Sequence, residues 1–317
     1  MAKKITERQI IGWYFMQLAA FAGMGWINAI SNFFRSDQAI ETYPWLTMSP
    51  AMREWIGGRN AKGFTENYLQ IKNKLYEATI EFLVSDLKRD KTGQIRARIE
   101  EFATKGNSHW ASLLSTLILS GAATTCYDGQ YFFDDDHEEG DSGSQSNDLS
   151  IDISALPAVK GGSTTAPSVE EMQLCIMQAI TAIMGFKDDQ GEPMNEDALK
   201  FLVMVPMSLW QSAVTAAATP TQVAASQTAF EGLRQQGLEI SVVPNARLST
   251  WTESFAVFRA DGKIKPLIRQ EESDVELKVK GYGSEFEFDN NAHQYGIDAS
   301  RNVGLGRWQG ACLVTMT

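Results

Sequence analysis

Apolar positions fall into a helical rhythm most clearly between residues 93 and 121. Ile95, Ile99, Phe102, Trp110, Leu113 and Leu117 recur at spacings of 3, 4 and 8, and Leu114 and Ile118 widen the stripe. Arg96, Arg98, Glu100, Glu101 and Lys105 hold the opposite face of the first half. The pattern predicts an amphipathic helix, about 40 Å long at about 1.5 Å per residue. Its second half is apolar nearly all round and is expected to be more buried, with Gly106 and Asn107 as the candidate bend.

Downstream the periods alternate. Helices are predicted over 169–184, 208–217 and 222–236, with strands over 201–205 and 238–243. Pro206 and Pro244 stop the strands, Pro220 and Gly237 close the helices, and Glu170 and Glu171 suit the start of the first helix through its dipole. This is the pattern of a compact α/β unit. From Trp251 onward strands dominate, over 254–259, 274–280, 284–288 and 310–315, with a turn at Asp261-Gly262.

Three segments break these rhythms. Residues 36–92 are polar, with a Gly57-Gly58 pair and period-2 alternation near Tyr68–Ile71 and Thr79-Ile80, as in a long hairpin or extended loop. Such a ribbon is marginal alone, so its packing is expected to come from outside it. Residues 134–152 carry eight acids and no Lys or Arg, which reads as a solvated boundary loop. Residues 10–34 are mostly apolar and long enough for a membrane span. Gln17, Asn28, Ser31 and Asn32 interrupt them and aromatics are scattered throughout, so a helix or extended arm buried against protein is the better expectation.

Charge and chemistry narrow the function. The 317 residues hold 28 Lys+Arg against 39 Asp+Glu, a formal charge of −11, which disfavours a nucleic-acid-gripping surface. Cys126, Cys175 and Cys312 are odd in number and far apart, supporting neither a disulfide framework nor a zinc knuckle. The acids and histidine of 134–141 miss the calcium-loop template, because Gly at position six and Glu at twelve are absent. His109 reads as helix packing. No Gly-x-Ser-x-Gly occurs, and Val303-Gly304-Leu305-Gly306 supplies only half a dinucleotide fingerprint. The alternatives to a non-enzymatic protein are a metal-dependent hydrolase using the acidic loop 134–141 and a membrane-anchored protein held by residues 10–34.

One collinear set of short motifs carries a family resemblance. It runs through Ser36-Asp37, Glu41-Thr42-Tyr43-Pro44-Trp45-Leu46, Met52-Arg53-Glu54-Trp55-Ile56-Gly57, Tyr76-Glu77-Ala78-Thr79 and Cys126-Tyr127-Asp128-Gly129-Gln130-Tyr131-Phe132-Phe133-Asp134-Asp135-Asp136-His137. It ends with Pro266-Leu267-Ile268-Arg269-Gln270, Tyr295-Gly296-Ile297-Asp298-Ala299 and Gly304-Leu305-Gly306-Arg307-Trp308-Gln309. The sequence resembles the Mu-like phage major head subunit family, departing from it at Tyr131, at Glu138 and in the very apolar arm.

The resemblance implies an α+β chain with the HK97-like capsid fold. Its parts would be an N-terminal arm (1–45), an extended loop (46–82), a peripheral domain with the long spine helix (83–164 and 249–308) and an axial domain (165–248 and 309–317). It implies a major capsid protein that assembles through hexamers and pentamers into an icosahedral head. Expected partners are scaffold, protease and portal, and double-stranded DNA enclosed without specific binding. No enzyme activity, cofactor, membrane or Lys–Asn cross-link is expected. The expected location is the virion, with the host cytoplasm during assembly. The assembly interface is expected on Trp55, Ile56, Arg59, Phe64 and Tyr68 of the loop and on Trp13, Phe15 and Trp26 of the arm.

Overall fold

A computed structural model describes residues 5–20, 24–43, 69–89, 93–157, 161–218 and 237–317. Its backbone is a long helix, α4 (Gln94–Leu119), lying across two hydrophobic cores. Ile95, Ile99, Phe102 and Ala103 of its first half enter the smaller core, and Ala111, Leu114 and Ile118 of its second half enter the larger. The predicted span holds to within two residues at either end. Gly106 sits at the crossover. A Cβ there would lie 3.3 Å from Ile297 Cδ1, so close approach to the neighbouring sheet accounts for this glycine.

The larger core is organised by five strands, β5 (Asp148–Ile151), β6 (Lys200–Val205), β7 (Glu239–Pro244), β8 (Ser254–Arg259) and β11 (Ala311–Met316), in the order β5-β11-β8-β6-β7. Phe201 to Val205 are all buried, as a near-continuous apolar run requires of a strand covered on both faces. Helix α5 (Val169–Gly185) packs on this sheet with α6 (Trp210–Ala218) beside it. Met172, Cys175, Ile176, Ala179, Ile180 and Ile183 form its buried stripe. Its start is fixed by a capping box: the Ser168 hydroxyl accepts from Glu171 N–H at 3.2 Å, and the Glu171 carboxylate accepts from Ser168 N–H at 2.7 Å. Strand β8, expected among the strands beside the spine helix, pairs here with both β11 and β6, and β5, which falls in the stretch read as a solvated loop, extends β11 in parallel. The helix expected over 222–236 falls outside the described residues.

A second sheet has the order β1-β9-β10-β4, built from β1 (Ser31–Arg35), β4 (Lys74–Leu83), β9 (Leu267–Lys280) and β10 (Ala292–Leu305). Tyr295, Ile297, Ala299 and Arg301 of β10 are buried, while Gln294, Gly296, Asp298 and Ser300 alternate with them on the more open face. The hairpin β9–β10 is capped by α7 (Glu285–Asn290), where the sequence reading placed a strand. The Ser284 hydroxyl accepts from Glu287 N–H, and Asn291 closes the turn at φ 47°, so cap chemistry overrides the alternating Glu-Phe-Glu-Phe pattern.

The N-terminal segment is neither one arm nor one span. It divides into α1 (Glu7–Ala20), α2 (Gly25–Ile30) and then β1, which pairs in parallel with β9. Among the described residues no helix is long and apolar enough to cross a membrane. At about 1.5 Å per residue α1 reaches roughly 21 Å, short of a hydrocarbon core of about 30 Å. Ile10 and Tyr14 of α1 are buried against Ile99, Phe102, Ala103 and Tyr295 of the same chain. These two residues are thus covered from within the chain, in keeping with an apolar segment buried against protein. The base of the extended loop is likewise held from within. There β2 (Ile40–Tyr43) pairs with β3 (Leu69–Lys72), Ile71 packs over Gly304, and Tyr43 Oη donates to Gln270 Oε1 at 2.7 Å.

Candidate assembly surfaces

Trp55, Ile56, Arg59, Phe64 and Tyr68 lie outside the described residues. The other three expected interface residues have different fates. Trp26 is only 8% exposed and belongs to the larger core, where it clusters with Ile27, Ile30 and the rest of that intrachain group. Trp13 is half-buried against the smaller core, with the Arg96 guanidinium 5.7 Å from its ring. Phe15 is 48% exposed and meets only Tyr14 edge-on among the described rings, so of the three it is the one left open for a partner.

Behind the arm a polar seam ties it to the spine. Arg269 Nε donates to Ser31 Oγ at 2.8 Å and Nη2 donates to Asn28 Oδ1 at 2.7 Å. The same guanidinium lies 5.3 Å from the Phe33 ring and 5.6 Å from Trp110, while Arg301 lies 4.9 Å from Trp110 on α4. Trp110 thus faces two cations, an arrangement that orients aromatic and guanidinium planes as well as adding attraction. Arg301 is itself buried, donates to the Gly106 carbonyl at 3.2 Å and has Glu271 at 3.9 Å. Burial holds the Glu271 carboxyl above its usual range, with Asp274 adding to the effect and Arg301 opposing it.

The acidic loop is not simply solvated, which corrects the sequence reading. His137 is fully buried, stacks on Trp308 at 3.9 Å with rings 9° apart, and has Nδ1 2.7 Å from Asp128 Oδ2. Tyr127 Oη donates to Glu139 Oε1 at 2.5 Å, and burial holds the Glu139 carboxyl above its usual range. Asn147, also buried, donates to the carbonyls of Phe132 and Ala311 and accepts from Asp134 N–H, fastening the loop to β11. Asp134, Asp135 and Asp136 remain outside, with ligand-type oxygens within 4.8 Å of one another. Burial opposes ionisation of Asp134, but N–H donors from Asp135 and Tyr131 outweigh it and hold its pKa low. Those donors bind the carboxylate into a turn, a structural use of the group that metal-site chemistry does not require. His109 packs edge-on against Tyr76 at 4.4 Å, and burial pushes its pKa down to about 4, with Arg301 and Arg247 adding to the shift.

The largest uncovered apolar groups sit far from all these cores. Phe288 on α7 is 90% exposed, Tyr282 before it is also exposed, and Leu75 projects from β4. Isolated exposed apolar groups are ordinary, but an aromatic ring bared at the end of a rigid hairpin is a candidate contact. A small apolar cavity opens between α4 and the β4–β10 edge, about 190 Å³ in volume and walled by Tyr76, Ala78, Phe102, Val275 and Ile297.

A family model described as the Mu-like prophage major head subunit gpT matches residues 14–155 and 228–316. The chain belongs to this family. The Mu-like prophage FluMu major head subunit of Haemophilus influenzae is 33% identical over 122 residues, covering 38% of this chain and 40% of the relative. The major capsid protein of Escherichia phage Mu is 30% identical over 110 residues, covering 35% of this chain and 36% of the relative. The chain thus spans about two fifths of the length of the curated relatives it matches. A subunit of the procapsid of bacteriophage JBD30 superposes with a TM-score of 0.55 at 22% identity, over 99% of this chain and 77% of that one. Identity at that level speaks for architecture alone. The Mu-like head-subunit chain has the α+β, HK97-like capsid fold.

Proposed function

We propose that the chain is a major capsid protein, assembling through hexamers and pentamers into an icosahedral phage head. The observation that carries this reading is the family match across both sheets and the spine helix, joined to a capsid-type fold over nearly the whole length. Physical features agree with it. Phe15, Leu75, Tyr282 and Phe288 are spread over the surface instead of gathered in a cleft, which suits several partners around one subunit. A formal charge of −11 suits a shell that encloses DNA without gripping its phosphates. Scaffold, maturation protease and portal are the partners such a role calls for. The virion is the resulting location, and the host cytoplasm the site of assembly.

We assign no catalytic role. The three histidines are committed to ring packing or to hydrogen bonds with carboxylates, with His293 Nε2 3.0 Å from Glu287 Oε1. The three thiols are buried, and burial raises the pKa of each.

Negative-stain microscopy of the purified protein, alone and with its scaffold, tests the proposal. Shells, rings or tubes are expected. A subunit that sediments as a monomer under every assembly condition refutes it. Trp55→Ala combined with Ile56→Ala is expected to block assembly while leaving the subunit's melting temperature unchanged, and normal particles from that variant would remove the extended loop from the interface.

A further inference from the structure

The tip of the β9–β10 hairpin lacks the usual reasons to be ordered. Pairing of β9 with β10 reaches only Lys280 and Gln294, so residues 281–291 stand beyond it. They carry α7, six residues long, on which no residue is buried. An isolated helix of that length does not hold in water, and no buried apolar contact makes up the difference. A short set of polar contacts does the fixing. The Ser284 hydroxyl accepts from Glu287 N–H at 3.2 Å, and the Glu287 carboxylate accepts from Gly283 N–H at 2.7 Å and reaches His293 Nε2 at 3.0 Å. On the C-terminal side, Val84 N–H donates to the Asn291 carbonyl at 2.9 Å. On the N-terminal side the tie comes from the arm helix: the Glu7 carboxylate accepts from Tyr282 N–H at 3.1 Å.

The sequence of the arm places that carboxylate. Thr6 and Gln9 form a capping box, with Thr6 N–H donating to Gln9 Oε1 at 2.9 Å and Gln9 N–H donating to Thr6 Oγ1 at 3.4 Å. Ile10 N–H donates to the Thr6 carbonyl at 3.2 Å, so Glu7 is the first residue inside α1. Gly281 makes room for it, because a Cβ there would overlap the Glu7 carboxylate. The backbone of Gly281 is not left-handed, so close approach, and not conformation, is what its missing side chain serves. The Glu7 charge also adds to burial in raising the pKa of Tyr295, one of the core residues on which α1 docks.

The anchors of α1 lie apart from this tie. Tyr14 packs on Phe102 near Gly106 of α4, roughly 10 Å along the helix from Glu7 at about 1.5 Å per residue. We propose that α1 is a strap that orders the hairpin tip. Docked on the spine helix, it holds residues 281–291 in place through Glu7; lifted from it, it lets them go. Phe288, the most exposed aromatic ring among the described residues, rides on that tip. The arm therefore sets whether this ring is offered on a fixed helix or on a loose loop, and a fixed group loses less freedom on docking. By linkage the effect runs both ways, so a partner that grips the tip also tightens α1. The device lies within one subunit and does not depend on the head-subunit reading.

Hydrogen exchange in the full-length, unassembled subunit tests it. The amides of Phe288 and Asn291, which donate to the Ser284 and Glu287 carbonyls, report the order of the tip. Glu7→Ala and Gly281→Ala each break the tie without removing a core side chain. Both should speed exchange at these two amides roughly three- to tenfold, the range set by one net hydrogen bond, while α4 and β6 keep their protection. Glu7→Gln, which retains an acceptor, should stay closer to the parent. Tyr14→Ala is the deciding variant, since it frees α1 at a distance from the tip. It should speed exchange at the tip as much as Glu7→Ala does, and combining the two should add nothing further there.

A tip that keeps its protection in Tyr14→Ala while α1 exchanges freely overturns the strap. So do Phe288 and Asn291 amides that are already unprotected in the parent. If Tyr14→Ala unfolds the subunit, Glu7→Ala and Gly281→Ala decide, and unchanged tip exchange in both overturns the coupling. Failure of the parent to assemble overturns the head-subunit reading and leaves the strap standing.

Discussion

Tyr14 offers a sharp test of what holds the N-terminal helix. Helix α1 has 14 residues, and an isolated helix of that length is marginal in water. Its hold on the subunit comes from Ile10 and Tyr14, each 1% exposed, with Ile5, Trp13 and Leu18 half-buried around them. Full burial of one large apolar side chain contributes about 1.5–3 kcal/mol, so these two anchors supply most of the docking. Truncating a buried aromatic ring costs about 3–5 kcal/mol once the cavity is included. Tyr14→Ala should therefore release α1 without unfolding the larger core.

In the unassembled subunit, hydrogen exchange at α1 amides should accelerate roughly a hundredfold or more, since about 1.4 kcal/mol is a factor of ten. Amides of β6, β8 and β11 should keep their protection. Tyr14→Phe is the control. The Tyr14 hydroxyl is buried with no partner among the described residues, and burial pushes its pKa up to about 12. Removing an unsatisfied hydroxyl recovers about 1 kcal/mol, so this variant should melt no lower than the parent. Unchanged protection of α1 in Tyr14→Ala would refute the claim that the chain's own spine helix holds the arm.

Two further outcomes follow from the loop between α4 and β5. Asn147→Ala strips the donor from the Phe132 and Ala311 carbonyls and the acceptor from Asp134 N–H, and should cost about 3 kcal/mol in chemical denaturation; a loss under about 1 kcal/mol would show that the loop fastens elsewhere. Burial raises the Glu139 pKa above 4.5, so the folded state holds a proton that the unfolded state has released. The associated stability is full below that value and is lost as pH climbs through the raised pKa. Glu139→Gln should narrow the stability difference between pH 5 and pH 7, and an unaltered difference in parallel denaturation curves would exclude Glu139 as its source.

The contrast between what the sequence disclosed and what it hid has a physical basis. The spine helix was legible because its buried residues, Ser115 aside, carry no polar side chain and fall on one period, even though the period serves two cores. Strand β10 was not, since its inward face includes His293 and Arg301 and its outward face includes glycine, so no apolar alternation survives. The acidic loop looked solvated because its partners are remote: Tyr127 meets Gln309, and His137 meets Trp308, across more than 160 residues of chain. The same remoteness hid the arm's partners. Ile10 and Tyr14 pack on residues some 85 to 285 positions later, and a local reading of an apolar run without visible partners turns to membranes or neighbouring subunits.

Where the arm docks decides where assembly energy can come from. A subunit whose arm and loop base are satisfied internally is not driven to assemble by those groups, because burying them twice gains nothing. The driving surfaces must be those still bare in the finished subunit. Among the described residues these include Phe288 at the hairpin tip, Leu75 on β4, Phe15 and Met16 on α1, and Trp210 on α6. They lie on different elements, so no single pairing covers them all, and one subunit needs more than one neighbour to bury its exposed rings. A dimer that paired two such patches would leave the others open, whereas a closed ring within a larger shell can cover each in turn. The same division also separates two kinds of variant. Changes at Trp26 or Tyr14 act on the subunit's own stability, while changes at Phe288 or Phe15 leave its fold intact and act only on the number of copies that hold together.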